Sequence, residues 1–489
     1  MKKLIIITIF QLSIIAVFAQ QNLTLYNMDK VLQSQFVNPS IDVQHKFHLG
    51  GLLIPIVGQL PPPIHFNYAN NSFYYNHIFH FGEGSKADSL VLDLDLFYSK
   101  LKNTTYVRFE TDFELLNLGI RLENMFLTVA LTEKLRYGFS LPRDLFEFAL
   151  NGNMPYMLES KPHDFKGFGL HFTHYRQLAV GASMNANDKF SFGGRAKILF
   201  GMANFNTDIK RLQLFTDPEN YHMTWATDMK IQASLPIYFD YMLHQSDGHL
   251  DSVTFGINQQ SIDEFTRDGG VSAATKYLLN LRNIGMGFDL GVRYQFSPEI
   301  EFYGSVNDFG FITWNTNPQN FVSKGEYKFK GLQVQIPDST DFLGETAQQL
   351  VDTLVNTFGF ELIETGYVTW LPTSIYLGGK YKFHDLLHFT ALYRGEFFRK
   401  SYFQSLTLGV NSNLTNFLSA HLTYTIAHNY AGHLGFGLSA RMGFMSWYFV
   451  TDSFTNMLFP QKAKNINFRI GCNLVFGYKK IKSTASIRT

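Results

Sequence analysis

Residues 285–296 read GMGFDLGVRYQF. Met286, Phe288, Leu290, Val292, Tyr294 and Phe296 share one parity, and Gly287, Asp289, Gly291, Arg293 and Gln295 the other. A β-strand turns successive side chains to opposite faces, so this period of two gives a strand with one apolar and one polar face. The alternation recurs at 404–411, 418–426, 433–442 and 466–476, with further candidates at 125–132, 166–176, 190–203, 299–307, 374–383 and 386–397. Asn187-Asp188 and Ser297-Pro298 separate neighbouring runs as hairpin turns. The chain reads as an antiparallel meander, not a βαβ fold.

A soluble sandwich would turn its polar faces to water and load them with Lys and Glu. Here those faces carry Gly, Ser, Thr and Asn with sparse charge of both signs, which suits the crowded lumen of a membrane barrel. The expected fold is all-β: a transmembrane antiparallel up-and-down β-barrel of about 14 strands, with 16 as the second choice. The chain has 489 residues, far more than fourteen spans of about ten need. The surplus falls in four long connections, about 71–103, 142–165, 236–283 and 315–370. Leu90 to Lys102 and Pro142 to Leu150 carry helical patterns, the second opening on a proline. Trp225, Trp314, Trp370 and the 447–449 cluster fall near strand ends, where an aromatic girdle would lie.

Composition bounds the class. Lys+Arg total 41 against Asp+Glu 40, which excludes nucleic-acid binding driven by bulk charge. Aromatics make up 16%, which excludes a disordered chain. A single cysteine, Cys472, excludes a disulfide framework and any CxxC site; its parity in 466–476 turns it toward lipid. Lys2 and Lys3, an apolar stretch from Leu4 to Phe18 and the small residue Ala19 read as a cleaved signal peptide over 1–19. The expected organisation is then an N-terminal arm or plug over 20–44, an outer-membrane barrel over 45–478 and a basic tail over 479–489. After the signal peptide no apolar run is long enough for a spanning helix.

Catalytic signatures are missing: the sequence has no HExxH, GxSxG or Walker loop. No enzyme activity, metal or cofactor is expected. The SxxK spacing of Ser99 to Lys102 is common by chance. His45 with His48, and His77 with His80, are three apart, which on a strand sets each pair on opposite faces. The candidate functional residues are the charges on polar faces: Arg195, Lys197, Asp289, Arg293, Glu301, Lys380, Arg394, Glu396, Arg441 and Arg469. Charges inside a membrane structure must be paired or wet, so these predict a lumen-facing network that either rigidifies the barrel or lines a solute path.

Six ordered segments carry a family resemblance: LTLYNMDKVLQSQFVNPS (23–40), LPRDLFEFALNGN (141–153), GGRAKILFGMANF (193–205), DFGFITW (308–314), WLPTSIYLGG (370–379) and NFRIGCNLVFG (467–477). Together they resemble a Bacteroidota outer-membrane β-barrel family of uncharacterised function. More distantly, Asn38-Pro39-Ser40 is similar to the NPA of barrels in the long-chain fatty-acid transporter class. That resemblance implies a fourteen-stranded barrel with an N-terminal plug; some relatives serve secretion machinery for gliding motility and protein export. Such barrels usually end on an aromatic residue, whereas here 479–489 follow Tyr478. The expected function is transport of small or apolar molecules through a partly plugged lumen. The alternative is a non-transporting scaffold for secretion, motility or surface-complex assembly. The expected partners are outer-membrane lipid, a small apolar ligand and a secretion or surface-complex protein, with no nucleic acid.

Overall fold

The computed structural model describes residues 22–54, 63–82, 89–236, 239–246, 249–267, 271–329, 361–398, 401–415, 417–427 and 430–478. The expected signal peptide and basic tail lie outside the described residues. Within them, fourteen antiparallel strands close into one barrel. They are β1 (Phe47–Gly50, resuming at Ile64–Asn70), β2 (Thr104–Leu122), β3 (Met125–Pro142), β4 (Gly169–Asn185), β5 (Phe190–Thr216), β6 (Ile284–Gln295) and β7 (Ile300–Trp314). The ring continues with β8 (Tyr367–Trp370 and Thr373–His384), β9 (Leu387–Phe398), β10 (Ser401–Ser412), β11 (Leu418–Ala427), β12 (Tyr430–Met442), β13 (Met445–Thr451) and β14 (Asn465–Phe476). Each strand pairs with the next, and β14 returns to β1, with Phe476 opposite Phe47 and Arg469 opposite His65. Closure leaves no edge strand in the ring.

Register decides which face meets lipid. Phe288 and Leu290 are 49% and 64% exposed, whereas Asp289 between them is fully buried. The exposed apolar surface continues around the wall through Leu377, Leu406, Leu408, Leu422 and Ile426. This belt is the surface an outer-membrane barrel presents to acyl chains. A slip of one residue would turn Arg293 outward, at about 2–4 kcal/mol for a basic side chain near the membrane midplane. The outward charges Glu133 and Arg176 pair with each other. Helix Val271–Leu278 covers them, its Leu278 carbonyl accepting from Arg176 at 2.9 Å.

Tight turns close one end of the barrel, at 123–124, 186–189, 296–299 and 443–444. The described parts of the long connections lie at the other end. There β5 outruns the barrel and pairs with Met223–Ser234, which pairs in turn with Pro318–Phe329. Asn283 joins this extension to the wall: its side-chain oxygen accepts from the amides of Asn315 and Thr316 at 2.7 and 2.8 Å, while its amide donates to the Gly201 carbonyl at 3.2 Å. The two helical patterns become Leu94–Lys100, capped by Asp93, and Arg143–Asn151, which starts behind Pro142 and stops at Gly152 with φ 68°.

Two outward assignments are corrected. Trp314 does not lie in a girdle; it is fully buried with Tyr175, Leu199 and Tyr367, its indole N–H donating to Thr369 at 2.8 Å. Cys472 keeps its outward parity but is fully buried, directly opposite the much larger Trp447. Trp370 is well exposed.

Candidate functional site in the barrel lumen

Residues 22–43 pack against inward-facing side chains of the wall. Two short 3₁₀ turns, Leu25–Asn27 and Leu32–Phe36, fold the segment back on itself. Asn38 precedes Pro39 and is held out of the helical region, and its side chain accepts from the Ser40 amide at 3.1 Å. Apolar side chains leave the segment in several directions. Leu23, Tyr26 and Val37 pack on Tyr303, Tyr376 and Leu392, and Leu25, Met28 and Val31 on Tyr448 and Val450. Each such side chain contributes about 1.5–3 kcal/mol when buried.

Polar anchors fix its position around the wall. The Thr24 amide donates to Asp452 at 2.7 Å, Tyr303 to Asn27 at 2.6 Å, Gln33 to Glu114 at 2.9 Å and Asn411 to the Asn27 carbonyl at 3.0 Å. Ser305 and Asn307 both donate to the Val37 carbonyl at 2.6 Å. Two carboxylates add ion pairs: Asp29 with Lys380 at 2.7 Å and Asp42 with Arg121. Burial raises the Asp29 carboxyl, but Lys380 and Arg293 outweigh it and hold the group well below the usual carboxylate range.

The charges singled out on the polar faces fall into four ion-paired groups and one ring stack. Toward the tight turns, Arg293 makes a two-toothed pair with Glu301 at 2.9 and 2.8 Å, and Lys380 lies 3.8 Å from the same carboxylate. Higher in the lumen, Asp289 accepts from Lys197 and, at 3.4 Å, from Arg195. Arg394 pairs with Glu396 at 3.0 Å and donates to Tyr376 at 3.1 Å. Arg469 lies 3.5 Å from Glu114. Arg441 stands apart from these ion pairs and stacks 3.9 Å over the Tyr478 ring near the tight-turn end.

Further charges belong to the site. On β2, Arg108, Glu110, Asp112 and Glu114 all turn inward; on β3, Lys134 and Arg136 do so. Arg136 pairs with Asp112 at 2.7 Å. Asp308 sits in a bulge of β7, at φ 56°, where Asn307 and Asp308 together oppose Asp289. That bulge sets two carboxylates on one lysine: Lys197 also lies 2.6 Å from Asp308, whose amide donates to Asp289 at 2.8 Å.

The histidine reading is corrected. β1 begins at Phe47, so His45 precedes the strand and folds back on His48, with Nε2 and Nδ1 2.9 Å apart. Burial, with His48 and Arg121 nearby, pushes the His45 imidazole down to about 3. His77 ends a 3₁₀ turn and accepts from the Tyr74 amide at 3.2 Å, while His80 lies on the short strand Phe79–Phe81.

A cavity of about 60 Å³ remains between the inner segment and the wall. Phe36, Val37 and Asn22 form its inner side, and charged residues of β2, β3, β5, β7 and β14 form its outer side. A second cavity of about 20 Å³ lies near the tight turns beside Lys30, Arg441 and Tyr478.

The sequence profile of a family of unknown function, DUF5723, matches residues 39–452. No curated protein matches the chain. Among solved structures, the chain is similar to the toluene transporter TbuX of Ralstonia pickettii, at 9% identity and a TM-score of 0.37, covering 86% of this chain and 91% of that one. The toluene transporter TodX of Pseudomonas putida matches at 8% and 0.34, covering 94% and 93%. A Pseudomonas aeruginosa FadL homologue matches at 9% and 0.38, covering 90% and 92%.

Proposed function

The chain belongs to the DUF5723 family, and we propose that in this member residues 22–43 are a plug that gates an outer-membrane barrel for small solutes. The observation that carries this reading is the chemistry of the wall behind the segment. Buried ion pairs are a costly way to fill a permanent core, because apolar residues of similar volume are often as stable or more so. Charges that face water when a plug moves are not a permanent cost. The inner segment lies outside the strand ladder of the ring and joins β1 through residues 44–46, so it can move without opening the ring. The export signal over 1–19 and delivery to the outer membrane belong to the same proposal. The charged lining favours hydrophilic solutes over an apolar ligand along the axis.

The two apolar clusters keep the resting barrel shut, so the wild type should conduct little in planar bilayers. Deletion of residues 22–41, alone and combined with Arg108→Gln and Glu396→Gln, should produce steady conductance. Deletion variants that fold and insert without conducting overturn the gate. That result favours the scaffold reading, for which the sheet rising beyond the barrel at Met223–Ser234, Pro318–Phe329 and Glu361–Ile363 offers a partner surface.

A further inference from the structure

We infer that the 60 Å³ cavity between the plug and the wall is a binding site for one small monovalent anion, of the size of bromide, formate or acetate. This inference rests on the gated-lumen reading and names the solute class that the gate would serve. Three observations carry it.

The first is charge. Five cations line the cavity, Lys134, Arg136, Arg195, Lys197 and Arg469, against three carboxylates, Asp112, Glu114 and Asp308. Asp289 stands just behind and pairs with Arg195 and Lys197, while Glu110, 3.9 Å from Arg136, and Glu396 are matched by Arg108 and Arg394, which leaves one positive charge in excess. A single anion balances it.

The second is partnering. A charge-assisted N–H···O contact settles at about 2.7–2.9 Å. Arg136 reaches that distance with Asp112, but three others do not. Lys134 is 3.9 Å from Asp308, Arg195 is 3.4 Å from Asp289, and Arg469 is 3.5 Å from Glu114 and 3.7 Å from Asp112. Among the described residues the Arg469 Nε has no hydrogen-bond partner. All three side chains are at most 12% exposed. Cations this deeply buried hold unsatisfied donor capacity only at a penalty, and all three border the same space.

The third is size. One water needs about 10–15 Å³ of such volume, so the cavity admits about four waters or one small anion, and excludes larger ions. Thr132 and Ser374 add hydroxyl donors to its rim. Because Asn22 and Phe36 complete the lining, an anion there touches plug and wall together. Arg469 already donates to Asn22 at 3.3 Å, and Arg195 stacks 4.6 Å over Phe36.

The test uses the whole barrel in detergent. Thermal unfolding is followed while bromide, formate or acetate replaces gluconate at constant ionic strength, and bromide-soaked crystals are read for anomalous scattering. A saturable rise of Tm with the small anions, and a bromide peak between Lys134, Arg195 and Arg469, are expected. Lys134→Gln should weaken the apparent affinity about tenfold, the loss of one charge-assisted contact, while Lys134→Arg should retain most of it. If Lys134→Gln does not fold, the wild-type anion series and the bromide peak decide alone. No saturable shift, or a shift with the bromide bound elsewhere, overturns the site. The two readings fail separately. Anion stabilisation of a barrel whose plug deletion never conducts leaves the site standing and removes the gate. A conducting deletion variant whose parent shows neither shift nor peak does the reverse.

Discussion

Arg108 on β2 donates to Glu396 on β9 at 3.1 Å, straight across the lumen, between strands that stand seven places apart in the ring whichever way it is counted. Both side chains are under a tenth exposed. Glu396 also holds Arg394, and Arg108 also meets Glu110 and stacks 4.8 Å from the Phe398 ring. The lumen is therefore bridged at this level by its own wall.

Removing one end of that bridge should cost far more than removing both. Glu396→Ala leaves Arg108 and Arg394 buried with less counter-charge and should destabilise by about 3–5 kcal/mol. Arg108→Met with Glu396→Leu should come within about 1 kcal/mol of the wild type, since well-packed apolar replacements of buried ion pairs are often neutral. Urea unfolding in detergent reads both. A double variant as unstable as the single one would show that the bridge contributes net stability.

Asp29 should tie the plug down in a pH-dependent way. Its folded pKa is lowered below the unfolded value, so its contribution is present above about pH 4 and is lost as pH falls further. The side chain is 38% exposed, so solvent moderates the effect. Asp29→Asn should raise protease cleavage within 22–43 at pH 7, and acid below about pH 4 should bring the wild type toward the variant. Equal cleavage of the two at pH 7 would show that the apolar clusters hold the plug unaided.

The barrel was legible where alternation ran unbroken. Gly285–Phe296 places Asp289 and Arg293 on one parity with no interruption, and its facing could be read directly. Strand β2 is as regular up to Glu114, with Arg108, Glu110, Asp112 and Glu114 on one face. One extra residue at Leu115 then shifts the register, so the inward set continues at Asn117 and Gly119. That bulge breaks the period and hides four inward charges; the run of alternate charged residues was the signal that could have found them. Asp308 was hidden by a bulge in the same way. Asp29 had no local signal at all, because its partners Arg293 and Lys380 lie hundreds of residues away. The histidines failed for a different reason: the alternation rule was applied to His45, which precedes the strand.

His45 should make the turn end of the barrel acid-sensitive over a higher range than Asp29. A histidine held at about 3 in the fold binds its proton near pH 6.5 when unfolded. The unfolded state therefore gains protons first as pH drops, and stability should fall progressively from about pH 6.5 toward 3, by several kcal/mol at most. His45→Gln should flatten that slope. Unfolding midpoints at pH 7.5, 5.5 and 4.5 suffice, and parallel profiles for wild type and variant would exclude His45 as the source.

Two glycines test whether the plug's seat matters to closure. Gly193 on β5 and Gly291 on β6 face each other in register, and both lie under the Asn38–Ser40 turn. A Cβ on Gly193 would fall on the Pro39 carbonyl, and one on Gly291 would meet the Asn38 side-chain oxygen and lie 3.0 Å from the Ser40 amide nitrogen. The obstacle differs in kind. Asn38 can yield to Gly291→Ala by giving up its side-chain bonds to Ser40 and Tyr26, whereas the Pro39 backbone carbonyl cannot turn aside, because the proline ring fixes φ. Gly193→Ala should therefore be the more disruptive, at about 1–3 kcal/mol of overpacking. The barrel itself has alternatives to that strain: the plug can lift, and the ring need not open. Gly193→Ala should accordingly keep near-native β signal and raise both the conductance and the protease sensitivity of 22–43, with Gly291→Ala intermediate. A Gly193→Ala barrel that loses β signal without passing current would instead make this turn part of the wall's own stability.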